Sequence, residues 1–242
     1  MPTWNEFMWA VFYFGVMSKD ITGNSDYLQL MRQHEFLQAL GTNPNQLQAE
    51  EVQQKVITGF LNCWKCRISN PPEAANAVLE TLQNLAPYLQ ALQDQEIEGV
   101  QLDALLNIDG NQTEISRIIE HCYDEIRKIG HRFGPTATSK LLHILQPRLF
   151  VMCDGPILSH YHQIDARISN RGQGYCRFLQ TMQDVTAHIR EELQNPTNYL
   201  NEVMEYHPPK TMAKYLDEYN WVTITHGVQI PPHWHPCDYF HR

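Results

Sequence analysis

IRKIGHRFGPTATSKLLHILQPRLFVMCD, residues 126–154, is the stretch whose punctuation decides the fold. Upstream of it, Ile115, Ile118, Ile119, Cys122, Ile126 and Ile129 recur at helical spacing, so a helix from Thr113 is expected with these side chains inward. Gly130 ends that helix, and His131-Arg132-Phe133-Gly134 leaves room only for a short tight link. Pro135 stands where proline is tolerated, at the start of a second helix over 136–145. Pro147 stops it. An extended apolar step, Leu149-Phe150-Val151-Met152, then leads to Asp154, which is placed to cap a further helix beginning near Pro156.

The same stretch is electrostatically distinct. Arg127, Lys128, Arg132, Lys140 and Arg148 are fixed cations, and no carboxylate occurs before Asp154. Across 126–183, with Arg167, Arg171 and Arg177 added, eight Lys or Arg face two Asp, whereas the rest of the chain carries ten against 25 Asp or Glu. The overall net charge of −9 opposes indiscriminate adhesion to nucleic acid, and the local surplus points to one anionic partner.

Outward from this centre the pattern is helical almost throughout. Ile21-Thr22-Gly23-Asn24 reads as a turn, Ser25 or Asp26 as the cap of a helix to Leu40, and Gly41 as its stop. Further helices are expected over 47–64, 73–92 with Pro87 as a kink or break, 178–193 after a loop flanked by Gly172 and Gly174, 197–205 and 210–219. Asp109-Gly110-Asn111 is a strong turn signal inside an acidic segment. The domain reading is an N-terminal helical part (1–93), an acidic connector (94–112) and a part carrying the central stretch, the C-terminal helices and a tail (113–242). The expected class is all-α, a helical bundle with room for a short strand near either end, Trp221–Ile224 being one candidate.

Length and composition bound the function classes. A chain of 242 residues with 43% hydrophobic and 19% charged residues is ordinary globular material with a substantial core. Six scattered cysteines make a disulfide framework a poor reading; reduced thiols and a cytoplasmic location are the expectation. Phe7–Met17 is apolar but only eleven residues long and has no basic flank, so it is read as a buried aromatic element rather than a signal or a membrane span.

The order of parts in 115–163 resembles the helix-hairpin-helix DNA glycosylases, and more closely their 8-oxoguanine glycosylase-like branch, in which strings similar to SKLLHILQPRLFVMCD occur. The segment Phe60–Ile68, FLNCWKCRI, is likewise similar to segments of uncharacterised relatives. The resemblance implies a DNA partner and a hydrolase of DNA repair that flips a damaged or modified base and forms a Schiff base. It needs no cofactor and no metal. By motif position Lys140 is the implied nucleophile at C1′ and Asp154 the implied electrostatic partner. Gly130 and Gly134 would shape the hairpin whose amides hold a phosphate, with Arg127, Lys128, Arg132, Arg148 and Arg171 as further DNA contacts. Two departures stand in the residues: the link is Gly-His-Arg-Phe-Gly rather than a single residue between glycines, and the Lys140–Asp154 interval is about one helical turn shorter than the family's.

The residues keep other readings open beside this one. Amine attack needs an unprotonated lysine, hence a buried one, whereas a solvated helix lysine and a simple helix cap describe Lys140 and Asp154 equally well. The protein would then be a non-catalytic DNA- or protein-binding module. Gly134–Lys140 imitates a Walker loop but lacks its second glycine, its hydroxyl after the lysine and its preceding strand. Cys63-Trp64-Lys65-Cys66 is a lone CxxC; only His233, His235, Cys237 and His241 in the tail offer it further zinc ligands. His160-Tyr161-His162 is read as a helix surface with one ring buried, and Phe7, Trp9, Phe12, Tyr13 and Phe14 as core rather than a base pocket.

Overall fold

The computed structural model describes residues 1–17, 24–205 and 207–231. The turn expected at Ile21-Thr22-Gly23 lies outside them. The described residues are mostly helical, with one small two-stranded sheet. The helices are α1 (Trp4–Met17), α2 (Asn24–Met31), α3 (His34–Thr42), α4 (Ala49–Val52), α5 (Pro71–Ala91), α6 (Ile115–Arg127), α7 (Pro135–Leu145), α8 (Gly155–Ile164), α9 (Gly172–Glu192), α10 (Pro196–Met204) and α11 (Met212–Asn220). No helix among the described residues is long and apolar enough to cross a membrane.

Several boundaries differ from the sequence expectation for local physical reasons. The helix expected over 25–40 breaks at Gln33, and α3 then carries Gly41 inside its buried face rather than ending before it. The helix expected over 47–64 starts as α4 and widens into π-helical turns over Gln53–Asn62. Pro87 sits within a continuous α5, whose first turn opens on Pro71 after a left-handed Asn70.

The acidic segment does not simply connect. Strands β1 (Leu105–Ile108) and β2 (Asn111–Glu114) pair antiparallel, Ile108 opposite Asn111, around Asp109-Gly110, both at positive φ. That pair is the chemistry a two-residue hairpin turn requires, so α6 starts at Ile115 rather than Thr113. The strand expected at Trp221–Ile224 is instead a π-helical extension of α11 over Trp221–Thr225.

One apolar core runs across the connector. It includes Phe7 and Val11 of α1, Leu82 and Leu89 of α5, Ile97 of the connector, Ile119 of α6, Leu142 of α7 and Leu216 of α11. Two close approaches explain the two glycines read as loop residues: Gly172 meets α6, and a Cβ on Gly174 would stand 2.2 Å from the Ser169 hydroxyl oxygen. Both lie in the first turn of α9, where a Cβ on Gly172 would stand 2.4 Å from the Glu120 carbonyl oxygen, while the Gly172 N–H donates to Asp124 at 2.8 Å. Close helix approach, not loop formation, demands the small residue there.

Candidate active site

The central stretch folds as its punctuation indicates. α6 ends at Arg127, Gly130 follows at φ +81°, and Gly134 is the N-cap of α7. His131 and Arg132 between them also lie at positive φ, 47° and 66°, a conformation that costs a non-glycine residue about 1 kcal/mol or more. Three bonds hold the link in place. Phe133 N–H donates to the Gly130 carbonyl at 2.7 Å, Ser69 N–H to the His131 carbonyl at 3.0 Å, and the Arg127 guanidinium to the Phe133 carbonyl at 3.0 Å.

α7 is enclosed on nearly every side, so its polar residues are internal. Ser139 clamps the helix to the strand-like step before α8: its hydroxyl donates to the Cys153 carbonyl at 3.0 Å and accepts from the Cys153 N–H at 3.1 Å. One residue on, Lys140 is only 7% exposed. Its Nζ donates to the Trp64 carbonyl at 3.1 Å and lies 4.7 Å from the centre of the Trp64 ring. It makes no ion pair among the described residues. Burial pushes its proton affinity below that of an ordinary lysine and Lys214 pushes the same way, while Cys66, Asp217 and Asp154 oppose them in that order.

Asp154 caps α8, with Oδ1 accepting from the Ile157 N–H at 2.9 Å and Oδ2 from the Thr225 hydroxyl at 2.8 Å. The clamp at Ser139–Cys153 therefore fixes the lysine's helix against the residue preceding this carboxylate. Lys140 and Asp154 open into one cavity of about 410 Å³, which Phe14, Trp64, Asp217 and Trp221 also line. Its lining brings together two lysines, Lys65 and Lys140, two carboxylates, the thiols of Cys63 and Cys153 and aromatic walls, with the His226 ring centre 3.7 Å from that of Trp221. No protein-family model matches the sequence, and no curated protein or solved structure matches it.

The basic residues divide. Arg132 and Arg171 are exposed and make no ion pair among the described residues, and Arg171 sits at the N-cap of α9. Arg127 braces the hairpin, as above, and Lys128 pairs with Glu125. Arg148 pairs with Glu96 and faces a separate, larger depression. Arg167 and Arg177 both bind Asp165, at 2.8 and 2.7 Å, and hold its carboxyl well below the usual carboxylate range. The surplus of positive charge is thus continuous in sequence but concentrated by the fold at the link and the start of α9.

Several lining residues carry no sequence signal of their own. Asp217 is on α11, Trp221 and Thr225 are the first and last residues of its π-helical extension, and His226 caps that extension. Phe14 faces the cavity, whereas Phe7 and Phe12 are core. The Tyr161 hydroxyl is buried and donates to Asn220 at 2.8 Å, while His160 is exposed and does not line the cavity. Cys63 lines the cavity as a free thiol, and burial raises the Cys66 thiol's proton affinity against the pull of Lys140. Among the described residues no three His, Cys, Asp or Glu side chains group as metal ligands. His233, His235, Cys237 and His241 lie outside the described residues.

Proposed function

We propose that the protein is a DNA glycosylase of the helix-hairpin-helix type that removes a damaged or modified base through a Schiff base on Lys140. The observation that carries this reading is the state of Lys140: an amine out of water, with no carboxylate bonded to it, opening into a cavity shared with Asp154. A cavity of this size is within the range of small-ligand sites, about 300–1,000 Å³, and aromatic walls suit a planar ring. A base within a stacked duplex cannot reach such a cavity, so the nucleotide must swing out.

In the proposed reaction Nζ forms a bond to C1′ as the C1′–base bond breaks. The bonding pair leaves with the base, which takes up a proton, and Nζ loses one. Opening of the sugar ring gives the imine, and water returns the free amine. Asp154, fixed by two donors, supports positive charge as it builds on the sugar. Phosphates are assigned to the amides of the link at 130–134, apart from that of Phe133, which donates to the Gly130 carbonyl, and to the first turn of α7, with Arg132 and Arg171 alongside.

The test is borohydride trapping on duplexes bearing 8-oxoguanine, uracil or an abasic site, since hydride addition to the imine leaves a stable protein–DNA amine. A covalent adduct that disappears in Lys140→Gln is the expected result. No adduct with any duplex, or one that survives the substitution, overturns it. Salt-dependent DNA binding without any adduct would instead favour the non-catalytic module, a reading supported by both oxygens of Asp154 already serving as cap and hydroxyl acceptor.

A further inference from the structure

Lys140 is not the only buried lysine beside the cavity. Lys214, on α11, is wholly buried, and its Nζ lies 4.8 Å from the ring centre of Phe14, 5.2 Å from that of Tyr27 and 5.1 Å from that of Trp64. Trp64 is the same indole that Lys140 approaches to 4.7 Å. Two amines therefore share one ring, in surroundings with very different charge.

Lys214 Nζ is 2.6 Å from Asp217 Oδ2 and 3.3 Å from Glu218 Oε1, and Lys210 Nζ is 2.6 Å from that same Glu218 oxygen. Two lysines and two carboxylates thus form a buried quartet, in which Glu218 Oε2 has no hydrogen-bond partner among the described residues. Lys140, among the described residues, donates to the Trp64 carbonyl alone, although Asp217 lines the same cavity. A buried carboxylate without a partner is costly, so an unclaimed Asp217 would be drawn to the nearest other ammonium. Asp217 and Lys140 line the same cavity, and Asp217 already raises the proton affinity of that amine; a lysine locked in an ion pair keeps its proton and cannot attack carbon.

We infer that Lys214 is a positioning residue for Lys140: by binding Asp217 and Glu218 it withholds both carboxylates, leaving the Lys140 amine free to shed its proton. This rests on the reading of Lys140 as a nucleophile. The groups facing Lys140 are Cys66 on the turn after the wide helix, Asp154 ahead of α8, and Asp217 and Lys214 on α11. Cys63, Lys65 and His226 share the cavity. Those facing Lys214 are Asp217, Glu218, Lys210, Tyr27 and the buried His143. Burial lowers the proton affinity of Lys214, but Asp217 and Glu218 outweigh it and keep the group charged; burial dominates at Lys140.

The experiment is competitive acetylation of the whole protein by trace acetic anhydride across pH, read lysine by lysine by mass spectrometry, with no DNA present. Lys140 of the natural sequence is expected to become reactive at lower pH than surface lysines such as Lys128. In Lys214→Met, its titration midpoint should rise by about one pH unit, a tenfold loss of labelling at pH 8. Adding Asp217→Asn to that variant should restore the midpoint. Asp217→Asn alone, which leaves Lys214 its contact with Glu218, should raise Lys140 labelling severalfold and keeps the test alive if Lys214→Met does not fold. An unchanged Lys140 midpoint in Asp217→Asn, or in a folded Lys214→Met, overturns the inference. Because labelling needs no DNA, a shift without borohydride adducts refutes the glycosylase and retains the charge partition. Adducts without a shift do the reverse.

Discussion

Two of the depressions among the described residues bring lysine and carboxylate side chains together, and they differ in what water does to them. The larger, about 700 Å³, holds Glu96, Glu98, Arg148, Arg190 and several asparagines; its Arg148–Glu96 pair is half exposed. Exposed pairs of this kind are screened and contribute at most about 1 kcal/mol. The smaller, about 410 Å³, contains a lysine taken out of water without a carboxylate bonded to it. Both depressions are reached by a buried amine, but Lys210 in the first is bonded to Glu218, whereas Lys140 in the second has no carboxylate bonded to it, and that difference favours the second as the candidate for chemistry.

The sharpest way to break that comparison is to exchange side chains between the two places and look for covalent chemistry. Lys140→Gln should abolish the borohydride adduct altogether. Asn198→Ala in the larger depression should change its yield by less than about twofold, as surface substitutions usually do. An adduct that depends on Asn198 and not on Lys140 would transfer the site to the other depression.

The smaller cavity is also distinguished by the clamp behind it. Ser139→Ala leaves the buried Cys153 N–H and carbonyl without that hydroxyl, a loss of about 2 kcal/mol in the denaturant unfolding free energy. Adduct yield should fall with it, because the helix carrying Lys140 loses its fastening to the segment before Asp154. Unaltered stability would show that the clamp is replaceable.

A third difference is pH dependence. His143, on the same buried helix, donates through Nδ1 to the Phe150 carbonyl at 2.6 Å, so Nε2 accepts from the Tyr27 hydroxyl at 2.9 Å. Burial pushes its imidazolium down to about 3, with Lys214 acting in the same direction and the Phe150 carbonyl opposing. The unfolded chain protonates this ring first, near 6.5. Stability is therefore fully present above that value and is lost as pH falls toward 3, by about 1.4 kcal/mol for each unit within the window. Urea midpoints at pH 7 and pH 5 measure the slope, and His143→Gln should flatten it.

The smallest effect concerns the link itself. Arg132 sits at φ +66° with no ion pair among the described residues, so Arg132→Gly should relieve strain and raise the unfolding free energy by about 0.5–1 kcal/mol. The same change should reduce the salt dependence of DNA binding by about one phosphate contact. Gain in stability with loss of binding identifies a residue kept for its charge; loss of both places it in the fold's support instead.

Local rules account for what could be read before any coordinates. The glycine, prolines and aspartate between Gly130 and Asp154 act on the residues beside them, and the helix–link–helix–cap order depends on nothing farther away. The hairpin at Asp109-Gly110 was visible as a turn but not as strands, because four-residue strands gain their order from pairing rather than from composition. Gly172 and Gly174 looked like loop residues, since only the approach of α6 to the first and of Ser169 to the second shows why a side chain is excluded there.

The amino-acid order alone determined a chain of helices, a kinked basic link and the pairing in sequence of Lys140 with Asp154. Tertiary structure alone decided that Lys140 is dry, that Trp64, Asp217 and Trp221 surround it, and that Lys214 holds the carboxylates beside it. The reason is one of range. Caps and turns act over a few residues, whereas desolvation and charge pairing depend on whatever the fold carries across 70 or more positions, as between Trp64 and Lys140 or Asp154 and Thr225.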